Sequence, residues 1–117
     1  MVARLRFKPD RKVLKADGED LSFVTIEVTD KRGIWQPNAT NLLHFAIDGP
    51  AVIAGVDNGD VSNKESYEGD MRLAFHGRAL VVIRTTQTAG KIKLIVRADG
   101  LVPGEVTIDA MPYKFRW

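Results

Sequence analysis

The chain has 117 residues, 44% hydrophobic and 27% charged, with 17 basic against 15 acidic side chains and a net charge of +2. These are the proportions of one ordinary globular domain with enough chain to bury a core. Intermixed signs exclude the one-sided basic footprint of a nucleic-acid binder, the lack of cysteine excludes disulfides, thiolate metal sites and a cysteine nucleophile, and no apolar run approaches a membrane span.

The dominant hydrophobic period is two. In "RLRFK", Leu5 and Phe7 alternate with Arg4, Arg6 and Lys8. The basic run continues through "PDRKVLK" and meets acidic residues at once in "ADGED". In "VTIEVTD", Val24, Ile26 and Val28 alternate with Thr25, Glu27 and Thr29. In "LHFAID", Leu43, Phe45 and Ile47 alternate with His44, Ala46 and Asp48. The apolar run "AVIAGV" leads into "DNGD", and residues 61–72 are polar and read as a loop or a short turn of helix. "ALVVIRTT" is apolar on both faces at first, the pattern of a central or doubly covered strand. In "KIKLIVRA", Ile92, Leu94 and Val96 oppose Lys91, Lys93 and Arg97; in "EVTIDA", Val106, Ile108 and Ala110 oppose Glu105, Thr107 and Asp109.

Each alternating run predicts a strand with one face buried and one wet. Turn signals separate the runs, among them "DKRG", "DGP", "HGR" and "VPGE". "TTQTAGKIKL" predicts a hairpin closed by a short glycine-containing loop. About seven short strands without a helical period predict an all-β fold, an immunoglobulin-like antiparallel β-sandwich filling residues 1–117 as a single domain. The abrupt end on "MPYKFRW" suggests a domain excised from a larger protein.

The loop "AGVDNGD" is the first candidate for chemistry. A helix-loop-helix calcium site needs oxygen ligands at its first, third and fifth positions. Counted from Asp57, the third is Gly59 and the fifth is Val61, so that pattern fails. A looser calcium loop on Asp57, Asn58 and Asp60 competes with a plain turn, since Asp-Asn-Gly clusters are turn formers. In the turn reading Gly59 takes a positive φ. Neither His44 nor His76 has a partner at zinc-ligand spacing. A glycosidase carboxylate pair needs a cleft that excludes water, which a sandwich of this size does not offer. Ser22, Ser62 and Ser66 lie in no nucleophile elbow. No catalytic residue and no cofactor is expected.

Sugar sites on sandwiches use exposed aromatic rings beside polar groups. Trp35, in "KRGIWQPNATN", is the candidate platform, with Tyr67 a second. The competing reading makes Trp35 a cap over a sandwich edge or against a neighbouring domain. Asn38 opens the glycosylation sequon "NAT", a pattern frequent by chance.

The succession "LKADGEDLSFVTIEVTDKRG", "PNATNLLHFAIDGPAVIAGVDNGD", "AFHGRALVVIRT" and "AGKIKLIVRADGL" resembles a C-terminal immunoglobulin-like domain of glycoside hydrolase family 2 enzymes, the bacterial beta-galactosidases. The resemblance runs from about Leu5 to Asp109. It implies a non-catalytic accessory or structural domain downstream of a catalytic barrel, whose glutamates have no counterpart here. The implied parent is a retaining beta-glycosidase of carbohydrate metabolism, periplasmic or extracellular, with a cytoplasmic place left open. The implied partners are the catalytic and neighbouring domains of that parent, with oligosaccharide a further candidate; neither nucleic acid nor membrane is expected. Two alternatives stay open: an autonomous carbohydrate-binding module centred on Trp35, and an adhesin-type bacterial immunoglobulin-like repeat.

Overall fold

Alternating apolar residues settle into two sheets that share one core. The computed structural model describes residues 4–39, 41–57, 71–74 and 76–113. Among them lie nine strands: β1 (Arg4–Pro9), β2 (Val13–Lys15), β3 (Leu21–Thr29), β4 (Leu42–Asp48), β5 (Ala51–Asp57), β6 (Met71–Leu73), β7 (Arg78–Thr85), β8 (Gly90–Arg97) and β9 (Gly104–Met111). Seven are long, from six to nine residues, and they coincide with the seven apolar runs of the sequence. No helix occurs among the described residues.

One sheet has the order β1-β3-β7-β5 and the other β2-β9-β8-β4-β6. All pairings are antiparallel except β2 on β9, which is parallel. That exception follows from how the first segment changes sheets. Pro9 lacks an N–H and closes β1 at the edge of its sheet. The Asp10 carboxylate then accepts the Phe23 N–H at 2.8 Å, and the buried Ser22 hydroxyl donates to the Arg11 carbonyl at 2.7 Å. The chain crosses over, and β2 continues along the edge of the other sheet, beside β9.

The core lies between the sheets. Val24, Ile26 and Val28 from β3 and Val81 and Ile83 from β7 meet Leu43 and Phe45 from β4, Ile92, Leu94 and Val96 from β8 and Ile108 from β9, all buried. Burying a side chain of this size stabilises the fold by roughly 1.5–3 kcal/mol, so the two-residue period is the main determinant of the architecture. A β-bulge between Ile53 and Gly55 bends β5 at the sheet edge.

Two local expectations are corrected. "TTQTAGKIKL" is not a hairpin: β7 pairs with β3 and β5, whereas β8 pairs with β4 and β9. The Gly-containing loop instead carries the chain from one sheet to the other, held where the Thr86 hydroxyl donates to the Pro50 carbonyl at 3.3 Å. The polar stretch expected to be loop or helix ends in a strand, because Met71 and Arg72 begin β6, which pairs with β4. Residues 58–70, and with them the turn expected at Gly59, lie outside the described residues.

Candidate functional site

The outer face of the β1-β3-β7-β5 sheet holds the most organised polar cluster. Register places Arg6, Glu27 and Arg78 directly opposite one another on three adjacent strands. Alternation assigned Glu27 to the wet face, yet only 2% of it is exposed. The cover is made of cations. Arg6 Nε donates to Glu27 Oε1 at 2.9 Å and Arg78 Nε to Oε2 at 2.9 Å, while Lys8 Nζ stands 3.2 Å from Oε1. Burial acts to raise the Glu27 pKa; hydrogen bonds from Arg78, Lys8 and Arg6 outweigh it and hold the carboxyl below its ordinary value.

A loop folds over this row because its own side chains shape it. The Asp30 carboxylate accepts the N–H groups of Arg32 (2.8 Å) and Ile34 (3.0 Å), which closes the "DKRG" turn. Arg6 Nη1 reaches the Gly33 carbonyl at 2.9 Å. Trp35 then forms an isolated antiparallel bridge with Thr29 and lies half-buried. The Arg78 guanidinium sits 4.1 Å from the centroid of the indole. The indole N–H donates to the His76 carbonyl at 3.0 Å. His76 and Gly77 both take positive φ, 52° and 71°. A Cβ at position 77 would stand 2.1 Å from the Gln36 carbonyl oxygen, so only glycine fits between the loop and the sheet.

The sequence-derived candidates separate. Trp35 is in place as described, with one ring face on Arg78 and its N–H committed. Asp57 ends β5. Its proposed co-ligands Asn58 and Asp60, and the second aromatic Tyr67, lie outside the described residues. Among the described residues no three His, Cys, Asp or Glu side chains gather as a metal site would require. The row of Arg6, Glu27 and Arg78 was not anticipated. Its signal was present as opposite charges on the polar faces of three strands, but only pairing brings them together.

This arrangement does not suit proton transfer. Glu27 spends its oxygens on three cations. The second held carboxylate, Asp20, takes Arg11 Nη2 at 2.9 Å and the Lys15 N–H at 2.8 Å; the Arg11 hydrogen bond, above all, keeps its pKa low. Two surface depressions among the described residues lie elsewhere. One of about 380 Å³ is lined by Gln36, Pro37, Asn38, Asn41 and Leu101, next along the chain from Trp35. Another of about 360 Å³ lies among His44, Arg97, Asp99 and Pro103. The first offers amide groups and an apolar wall, the chemistry of a weak polar-ligand contact.

With the geometry in hand, known proteins give context. The family model for the glycoside hydrolase family 2 C-terminal domain 5 matches residues 5–107. The chain is 44% identical over 108 residues to the beta-galactosidase BoGH2A of Bacteroides ovatus, covering 92% of this chain and 13% of that protein. It is 29% identical over 101 residues to a beta-glucuronidase of Formosa agariphila, covering 86% of this chain and 10% of that one. A crystal structure of a glycosyl hydrolase family 2 member from Bacteroides cellulosilyticus superposes with a TM-score of 0.92 at 33% identity, over 95% of this chain and 14% of the other. The chain thus spans a small fraction of the length of the proteins it matches.

Proposed function

This chain belongs to the glycoside hydrolase family 2 C-terminal domain 5 family, and on that premise we propose that it is a non-catalytic accessory domain of a larger beta-galactosidase-type glycosidase. Its work in this reading is structural: it packs against the catalytic part of the same polypeptide and helps to hold it in shape. The observation that carries the reading is the coverage, in which 92% of this chain corresponds to 13% of a beta-galactosidase. The chemistry agrees, because Glu27 and Asp20 are both tied to cations. The family match also favours a glycosidase domain over an adhesin-type repeat. In this reading the parent works in the periplasm or outside the cell, with the cytoplasm as the alternative, and fractionation of the source cells tests it.

The experiment is a comparison of the parent enzyme with and without this domain, alongside the separate chain. The separate chain should not release nitrophenol from a nitrophenyl β-galactoside, and the parent should. Deleting the domain should lower the parent's melting temperature while leaving both catalytic glutamates in place. Turnover by the separate chain, or a parent unaffected by the deletion, overturns the proposal.

A second reading has one observation behind it, the amide-lined depression of Gln36, Asn38 and Asn41, residues that follow Trp35 in the chain. There the domain contacts oligosaccharide. Saturable shifts of the Trp35 indole resonance with galactose, lactose or a longer oligosaccharide would establish it; an unmoved resonance in a well-folded spectrum removes it.

A further inference from the structure

Both sheets expose apolar side chains, but on the β2-β9-β8-β4-β6 sheet they lie toward its two edges, Val13 and Met111 on β2 and β9 and Leu42 and Met71 on β4 and β6, whereas on the other sheet they meet across the inner strands β3 and β7. On the β1-β3-β7-β5 sheet, Phe23 stands opposite Val82, which in turn stands opposite Gly55; Leu21 and Val52 flank Arg84 in the adjoining row. Phe23 is 42% exposed and Val52 40% exposed, with Val82 half-buried between them and Leu80 half-buried on the far side of Val82. These residues make a continuous apolar strip on the side of the sheet turned away from the core. Contiguous exposed apolar surface of this kind marks a contact site.

Charge narrows the occupant. Arg4, Arg6, Lys8, Arg78 and Arg84 all point to this face from β1 and β7, against Glu27 and Asp57. Glu27 is buried beneath three of those cations, so their outer edges, not its carboxylate, meet an approaching surface. Two copies laid face to face would oppose their cations, which disfavours a symmetric dimer through this sheet. A partner that buries the strip must be apolar at its centre and acidic at its rim. The matched glycosidases are several times longer than this chain, so such a surface is available in cis.

The geometry points to the β1-β3-β7-β5 face as the surface by which this domain docks onto a neighbouring domain of its own polypeptide, with Phe23 and Val82 in the dry centre and Arg84, in the adjoining row between Leu21 and Val52, paired to carboxylates of that neighbour. The assignment rests on the reading of the chain as a packed domain of a glycosidase and adds which face is used and what chemistry it meets. Interdomain surfaces of this sort combine an apolar centre with a polar rim.

The chain's lack of cysteine allows a direct test in the intact parent enzyme. Phe23→Cys reports on the proposed face and Ala46→Cys, exposed on β4, reports on the opposite one. Maleimide labelling is followed by mass spectrometry of the peptides. Position 23 should react at least about tenfold more slowly than position 46. Rapid labelling at 23 with slow labelling at 46 overturns the face assignment while leaving the packed-domain reading intact. Rapid labelling at both removes the two together, and slow labelling at both rejects the preference for one face. Adding Arg84→Glu to Phe23→Cys should speed labelling at 23 severalfold; no change overturns the acidic rim.

Discussion

The outer face of the β1-β3-β7-β5 sheet and that of the β2-β9-β8-β4-β6 sheet are built from the same alternation and have opposite characters. On the second sheet Lys91 stands opposite Asp109 and Lys93 stands between Asp48 and Thr107. These side chains are mostly well exposed, and the Lys91–Asp109 pair is 3.8 Å apart with 77% and 48% of the two side chains in solvent. On the first sheet the acidic residue sits on an inner strand between two strands that carry its cations, so it is buried and triply paired. The difference teaches that a charge on a nominally wet face can be structural when both neighbouring strands supply partners. A charge of the same type facing solvent contributes little.

The largest break in this contrast should come from Glu27→Ala. Removing one partner of a buried pair costs about 3–5 kcal/mol, and the half-exposed cations, which regain water, place this case near the low end. Denaturant unfolding of the separate chain should show the loss. The same contrast has a pH signature. A carboxyl whose folded pKa is depressed contributes its stabilisation fully above its unfolded value, about 4.3 for a glutamate, and loses it as pH falls through the lower folded value. Stability should therefore decline progressively below about pH 4. Glu27→Gln should make that decline shallower, with the remainder owed to Asp20, which shifts in the same direction. An identical acid limb in the variant would contradict the assignment.

Next in size is Gly77→Ala, which adds a methyl against the Gln36 carbonyl at a positive φ. Strain at such a position costs about 1–3 kcal/mol, read as a lowered melting temperature. Trp35→Ala removes the cover of Arg78 and should cost about 1–2 kcal/mol from lost stacking and packing. If the indole does no more than cap the sheet, Trp35→Phe should recover most of that loss. The smallest effect sharpens the comparison from the other side: a double-mutant cycle between Lys91→Ala and Asp109→Ala should give a coupling below about 0.5 kcal/mol. A coupling as large as that of Glu27 with Arg78 would erase the distinction between the faces.

Much of the fold was legible in the residues. Leu5 and Phe7, Val24 to Val28, and Ile92 to Val96 announce their strands because a two-residue period has one physical use, a sheet with one face in a core. "ALVVIRTT" was read as a central or doubly covered strand, and β7 does lie between β3 and β5. The short strands were not legible: "VLK" and "MRL" are too brief to show a period, and they exist because neighbouring edges offer them partners. The candidate site was legible only in Trp35. What holds that ring, the His76 carbonyl and the Arg78 guanidinium, lies more than forty residues further along the chain.

The sequence by itself determined the class of fold, the positions of the long strands and the residues of the core, because each depends on local periodicity and on the transfer of apolar side chains from water. Its ordered motifs also carried the family. Tertiary structure alone decided which strands pair, and therefore that "TTQTAGKIKL" bridges two sheets instead of closing a hairpin. It decided too that Glu27 is buried among Arg6, Lys8 and Arg78 while Asp109 stays in solvent. Both outcomes turn on which strand becomes the neighbour of which, and that is set by the global arrangement of the two sheets, not by any stretch of chain read alone.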